Sequence, residues 1–143
     1  SIGLVIPTKN AQATLDNILN ILENSPVEFS TLIIDSSSDD QTISIANKHN
    51  AKVIIIPQAD FNHGVTREYA RKQLATDVVV FLTQDAIPVN AELIAKLVQP
   101  LLDNEDIAVS YGRQIPHDGA DVFEAFPREY NYGNESQVRG IQM

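Results

Sequence analysis

The chain has 143 residues, 43% of them hydrophobic and 20% charged, with a formal net charge of -9 and no cysteine. A chain of this length buries about 68% of the surface its unfolded form exposes, so a single soluble globular domain over 1–143 is expected, and the acidic balance argues against binding nucleic acid, whose phosphate backbone needs a field of Lys and Arg. The missing cysteine excludes disulfides, thiolate metal sites and a cysteine nucleophile, and no apolar run approaches the ~20 residues of a transmembrane helix.

Ser1 leads straight into an apolar strand without a basic segment and longer apolar stretch before it, so export is not indicated and the cytoplasm is the expected compartment. Ile2 to Ile6 is a continuous, mostly β-branched run, as in a strand buried on both faces, and Leu15, Ile18, Leu19 and Leu22 then fall on one face of a helix. Phe29 to Ile34 reads as the second strand, with Ser38 or Asp39 able to cap a helix whose inward side begins with Ile43 and Ala46. Lys52 to Ile56 is the third strand. After Pro57 a polar connection, Gln58 to Gly64, leads to a helix from about Val65 to Leu74, with Tyr69, Ala70 and Leu74 placed to pack. Val78 to Leu82 is the fourth strand, and Ile94, Leu97, Val98 and Leu101 give the apolar stripe of a helix that Pro100 is expected to kink or interrupt. Ile107 to Tyr111 reads as a fifth strand, after which Gly112 to Met143 loses periodicity. Strands alternating with helices, without repeats or a linker, predict an α/β fold with a mainly parallel sheet flanked by helices.

Polar clusters stand just past three of the apolar runs: Pro7 to Asn10, Asp35 to Asp40, and Thr83 to Ala86. In an open α/β sheet ligands lie at the carboxyl ends of the strands, so these clusters predict one crevice, with a phosphate-bearing small molecule as its first candidate ligand. The absence of a Gly-x-Gly-x-x-Gly turn and of a Gly-Lys-Thr/Ser run argues against a standard dinucleotide fold and a P-loop ATPase. A phospho-Asp receiver would need an acidic pair after the first strand, where Thr8-Lys9-Asn10 offers none.

Each candidate has a plainer reading. Asp85 can reach a hard cation that keeps several waters and bridges to substrate phosphates, or it can simply open the turn before Pro88. Asp35 can accept from a pyrimidine N–H, or it can cap local backbone donors. Arg67, one turn into its helix after Asn62-His63-Gly64, can hold a diphosphate with its forked guanidinium, or it can be an exposed helix arginine. Asp39 and Asp40 read as helix-capping residues, and His63 has no neighbouring ligands at metal spacing.

Together, Val5 to Asn10, Ile33 to Thr42, Asn62-His63-Gly64 with Arg67, and Phe81 to Ala86 resemble family 2 glycosyltransferases in order and spacing, over roughly Ile2 to Arg113. Phe61-Asn62-His63-Gly64 and Thr83-Gln84-Asp85-Ala86 look most like bacterial rhamnosyltransferases. The resemblance implies a Rossmann-like GT-A nucleotide-diphospho-sugar transferase fold, a nucleotide-sugar donor, Mg²⁺ or Mn²⁺, and inversion at the anomeric carbon. By position it assigns Pro7 and Thr8 to the turn lining the base and Asp35 to the acid contacting the pyrimidine. Arg67 and Gln84 join the donor-nucleotide contacts, and Asp85 becomes the last acid of an Asp-x-Asp metal motif. Thr83 stands where the first acid is usual, and Ser36 and Ser37 replace a common Asp and Gly. Arg113 follows the fifth strand, as a residue facing the sugar or as an exposed loop arginine.

The expected activity is that of an inverting glycosyltransferase moving rhamnose from a dTDP- or UDP-linked donor to a polysaccharide or lipid-linked acceptor, which enzymes of this kind often meet at the inner membrane face. A non-catalytic nucleotide-sugar-binding module and, further off, a receiver-like signalling domain are the alternatives. Residues 1–113 would form the donor-binding core and 114–143 the start of a truncated acceptor-side region. The general base is unassigned: Asp118, Asp121 and Glu124 have no spacing that selects one, and similar enzymes carry the base further downstream.

Overall fold

The computed structural model describes residues 1–121, 127–128 and 131–140. The chain divides into two units, Ser1–Ala108 and Val109–Met143. In the first unit the order is β1 (Ile2–Thr8), α1 (Leu15–Leu22), β2 (Ser30–Asp35), α2 (Thr42–Lys48), β3 (Lys52–Ile55), a 3-10 turn at Gln58–Asp60, α3 (His63–Leu74), β4 (Val78–Phe81) and α4 (Leu93–Asp103). The four strands form one sheet in the order β3-β2-β1-β4, and every pairing is parallel. The α/β architecture expected from the alternating pattern is therefore present. With β1 between β2 and β4, the carboxyl ends of three strands lie side by side.

The two-residue period of β1 sorts its side chains between two cores. Leu4 and Ile6 pack on one face with Leu15, Ile18 and Leu22 of α1, Ile33 of β2, and Ile94 and Val98 of α4. Val5 faces the other way, with Leu32, Ile34 and Ala70 of α3. Each of these large apolar side chains contributes about 1.5–3 kcal/mol by leaving water. A strand buried on both sides needs an apolar residue at every position, which is why Leu4-Val5-Ile6 is unbroken rather than alternating.

Several elements differ from the sequence expectation for identifiable reasons. Helix α2 is not opened by Ser38 or Asp39. Instead Asp40 accepts from the Thr42 amide at 2.9 Å and the Thr42 hydroxyl at 2.5 Å, and its other oxygen accepts from the Gln12 amide at 3.2 Å. Burial pushes the Asp40 carboxyl up, but the hydrogen bonds from Thr42 and Gln12 outweigh it and hold the group below the ordinary carboxylate range. Helix α3 starts two residues earlier than Val65 because the Asn62 side chain caps it, accepting from the Gly64 and Val65 amides at 3.1 Å. Its inward stripe is Thr66, Ala70 and Leu74, whereas Tyr69 is 43% exposed. Helix α4 runs through Pro100 to Asp103, forgoing only the hydrogen bond that a proline cannot donate.

The fifth strand expected at Ile107 to Tyr111 is absent: no described residue of that run pairs with another strand, and Val109 and Tyr111 are exposed. A β-branched run becomes a strand only where a neighbouring edge takes up its amides and carbonyls. In the second unit, Tyr111 and Tyr132 meet edge to face with ring centres 6.2 Å apart. Among the described residues, no helix is long and apolar enough to cross a membrane.

Gly3 lets α3 approach β1 closely. A Cβ there would lie 2.6 Å from Leu74 Cδ1 and 2.7 Å from Thr76 Oγ1. Gly3→Ala is therefore expected to lower stability by about 1–3 kcal/mol through overpacking, measured as a shift in the urea unfolding midpoint. On the outer face of α3, Arg71 grips Glu68 through two hydrogen bonds of 2.8 Å, which lowers the Glu68 carboxyl to about 2 from an ordinary 4.5. A depressed folded pKa contributes stability above the unfolded value and loses it as pH falls through the folded value. The stability difference between the parent and Glu68→Gln should accordingly shrink as pH is lowered from about 4.5 to about 2, read from unfolding midpoints across that range.

Candidate functional site

A cavity of ≈ 380 Å³ opens at the carboxyl ends of the strands. Pro7, Thr8 and Lys9 from the end of β1 line it, together with Ser36 just past β2 and Thr83 and Gln84 just past β4. Gln58 and Phe61 from the β3–α3 connection, and His63 and Arg67 from the first turns of α3, complete the wall. The crevice inferred from polar clusters at three strand ends is thus present, and its fourth side comes from α3.

The wall between β1 and β2 is held from behind by a buried charge. Asp35 is 0% exposed. Its Oδ1 accepts from the Thr8 hydroxyl at 2.8 Å and the Ser38 hydroxyl at 2.6 Å, and its Oδ2 accepts from the Ser38 amide at 2.7 Å. The pairing register places Thr8 directly opposite Asp35, so the first contact follows from the sheet itself. Around it the two loops are stitched together: the Asn10 amide donates to Ser38 Oγ at 2.8 Å, the Ala11 amide to Thr42 Oγ1 at 2.7 Å, and Lys9 Nζ to the Ser37 carbonyl at 2.7 Å. Ser37 adopts φ +57°, where glycine is at ease, and its hydroxyl donates to the Ile56 carbonyl at 2.8 Å.

The opposite wall is joined by Gln84. The Lys9 amide donates to Gln84 Oε1 at 2.7 Å and Gln84 Nε2 donates back to the Lys9 carbonyl at 3.1 Å. The Thr14 hydroxyl donates to the Gln84 carbonyl at 2.6 Å. On the α3 side, Arg67 is half-buried and its Nη1 donates to the His63 carbonyl at 3.3 Å. Arg67 forms no ion pair among the described residues. The Phe61 and His63 rings meet edge to face, 4.9 Å between centres.

Of the residues singled out in the sequence, Pro7, Thr8, Arg67 and Gln84 line this cavity together. Asp35 lies behind the wall rather than in it, and Asp85 is exposed beside Gln84 without a hydrogen bond or ion pair among the described residues. Arg113 belongs to the second unit, where it lines a separate cavity of ≈ 350 Å³ with Tyr132, Gly133 and Asn134. Asp118 and Asp121 also belong to that unit, and Glu124 falls outside the described residues. Lys9, Ser36, Gln58, Phe61 and His63 are cavity residues to which the sequence assigned no role; adjacency to a strand end marks Lys9 and Ser36, whereas nothing local marks Gln58. No group of three or more His, Asp or Glu side chains able to hold a metal ion occurs among the described residues.

Removing the Asp35 carboxylate would strand one buried donor, the Thr8 hydroxyl, and two part-buried ones from Ser38. Asp35→Ala is expected to lower the unfolding free energy by about 3 kcal/mol and Thr8→Val, which removes one donor, by about 1 kcal/mol, both measured by urea titration.

Residues 4–139 match the family described as Glycosyl transferase family 2. The O-antigen chain rhamnosyltransferase RfbN of Salmonella typhimurium is 40% identical over 96% of this chain and 45% of its own length, and the O-antigen chain rhamnosyltransferase WbaN of Salmonella anatum is 36% identical over 97% and 45%. The chain thus spans about half the length of the curated relatives it matches. Among solved structures, glucosyl-3-phosphoglycerate synthase from Mycobacterium tuberculosis, in complex with Mn²⁺, uridine diphosphate and glucosyl-3-phosphoglycerate, superimposes with a TM-score of 0.64 at 26% identity, covering 75% of this chain and 41% of that one. Residues 1–349 of TarS from Staphylococcus aureus give a TM-score of 0.60 at 25% identity over 70% and 32%.

Proposed function

The chain belongs to glycosyl transferase family 2, and from that premise we propose that its strand-end cavity receives the nucleotide-sugar donor of an inverting rhamnosyltransferase. The donor is a dTDP- or UDP-linked sugar, and the acceptor of the whole protein is a polysaccharide or a lipid-linked saccharide. The observation that carries the reading is a half-buried arginine without a carboxylate partner, lining a strand-end cavity beside Lys9 in a chain of net charge -9. Lys9, Lys48, Arg71, Lys72 and Lys96 each pair with a carboxylate, whereas Arg67 has none among the described residues. A cation left free at a cavity is suited to an anion, and a forked guanidinium is suited to a diphosphate.

Within this reading Pro7 and Thr8 form the floor under the base. Asp35 backs that floor: a carboxylate offers about four acceptor positions, three of which are occupied by Thr8 and Ser38, and being fully buried it would meet a pyrimidine imide N–H only if the Thr8 or Ser38 hydroxyl gave way. Arg67 would hold the diphosphate.

Mg²⁺ or Mn²⁺ fits the donor set on a specific ground. Asp85 presents an exposed carboxylate with no partner among the described residues, and such a cation takes one or two protein carboxylates together with water and phosphate oxygens. When bound, it neutralises charge building on the departing diphosphate. The acceptor oxygen attacks the anomeric carbon from the face opposite the diphosphate, the C1–O bond breaks with its electron pair left on the diphosphate, and the acceptor proton passes to a base outside the residues assigned here. Arg67 holds the leaving group in line while this occurs.

Calorimetric titration of UDP and dTDP, each with and without Mn²⁺, into the chain and its Arg67→Ala and Asp85→Ala variants tests this. Binding of a nucleoside diphosphate that Mn²⁺ strengthens is expected. Arg67→Ala should weaken it about tenfold or more, and Asp85→Ala should abolish the Mn²⁺ enhancement. Absence of binding by either nucleotide would overturn the reading.

A further inference from the structure

We infer that Gln84 is a positioning residue: its carboxamide clips the end of β4 to the end of β1 and thereby sets where the Asp85 carboxylate stands. The inference rests on the donor-site reading of Asp85 and gives that site a part the family resemblance does not supply. By the resemblance Gln84 would touch the donor. Its amide is already engaged elsewhere, giving and taking one hydrogen bond with the Lys9 backbone, while its own carbonyl is held by Thr14.

The geometry explains why this matters for the next residue. Asp85 is exposed and makes no hydrogen bond or ion pair of its own among the described residues, so nothing at its side chain orients it. The turn that carries it is closed by a single backbone hydrogen bond, from the Ala86 amide to the Thr83 carbonyl at 3.1 Å. On its near side the turn is anchored by the Leu82 amide, which donates to the Val5 carbonyl at 3.0 Å, and at the residue next to Asp85 by Gln84, whose three hydrogen bonds of 2.6 to 3.1 Å reach Lys9 and Thr14 on the β1–α1 connection.

Among side chains of this reach, only a carboxamide offers a donor and an acceptor in one plane for a backbone N–H and C=O together. A glutamate would set a carboxylate oxygen against the Lys9 carbonyl, and an asparagine is one methylene too short. A lone exposed carboxylate is a weak cation ligand unless held at the right distance from the phosphates, since ordering it at the moment of binding costs side-chain and loop entropy. The clip meets that requirement during folding.

The test is Mn²⁺ retention in the presence of UDP, followed through the six-line EPR signal of free Mn²⁺, in the chain and in Gln84→Met, Thr14→Val, Thr14→Ser and Asp85→Asn, alongside metal-free UDP affinity by calorimetry. Gln84→Met keeps the shape without the polar atoms. It should weaken Mn²⁺ retention about tenfold, a larger factor than it takes from metal-free UDP affinity. Thr14→Val should shift retention the same way by a smaller factor, and Thr14→Ser should restore it; this pair decides the matter should Gln84→Met fail to fold. Parent-like Mn²⁺ retention in Gln84→Met, with loss in Asp85→Asn, overturns the positioning role and leaves the donor site standing. An equal loss of metal-free UDP affinity in Gln84→Met overturns it in favour of direct donor contact. Unchanged retention in Asp85→Asn overturns the reading of Asp85 and this inference with it.

Discussion

A carboxylate with no exposed surface cannot be left without donors, because an unpaired buried charge costs far more than any single hydrogen bond returns. At the end of β2 this constraint governs everything nearby. Asp35 takes one donor from β1 through Thr8, which the parallel register sets opposite it, and two from Ser38. For Ser38 to direct both its amide and its hydroxyl back at Asp35, the chain has to reverse within Ser36 and Ser37, and Ser37 accordingly takes left-handed backbone. Asn10 and Thr42 then follow, since Ser38 Oγ and Thr42 Oγ1 accept from the amides of the β1 loop. The floor of the cavity is in effect the solvation shell of one buried acid.

How much of this was legible in the sequence depends on whether the signal is local. The four strands could be read because they are short, apolar runs rich in β-branched residues, and α1 and α4 because their apolar residues recur on one face. Residues 107–111 alternate apolar Ile107, Val109 and Tyr111 with Ala108 and Ser110, yet no described edge pairs with them; a strand is a relation between segments, which composition does not carry. In α3 the sequence places Ala70 and Leu74 on the inward stripe but misses Thr66, polar by type although its oxygen accepts from the Asn62 amide at 3.1 Å, and includes Tyr69, which looks apolar although it is 43% exposed. Asp39 and Asp40 are equivalent in sequence, and only the approach of Thr42 and Gln12 distinguishes them.

The candidate site divides along the same line. That polar residues would converge at three strand ends follows from the topology of an open parallel sheet, so Pro7, Thr8 and Gln84 could be placed beforehand. Arg67 could be placed only by analogy, because whether a helix arginine faces a cavity or water depends on how the helix packs, and Gly3 governs that packing by admitting Leu74. Gln58 and Phe61 lie on a connection whose path no periodicity describes. The sum of charge does not locate these cations: in a chain of net charge -9, Lys9 and Arg67 both line one cavity.

Two residues other than glycine, Asn10 and Ser37, hold left-handed backbone at the rim of this cavity. Such a conformation costs an ordinary residue about 1–2 kcal/mol, offset at Ser37 by a hydroxyl bonded to the Ile56 carbonyl. A glycine would remove the strain, but it would also return conformational freedom to the unfolded loop and leave the Ile56 carbonyl without that donor. With serine, the loop's conformational search is completed before any ligand arrives. In the donor-binding reading, the cavity would then select by the fit of a fixed shape rather than by the adaptability of a pliant one.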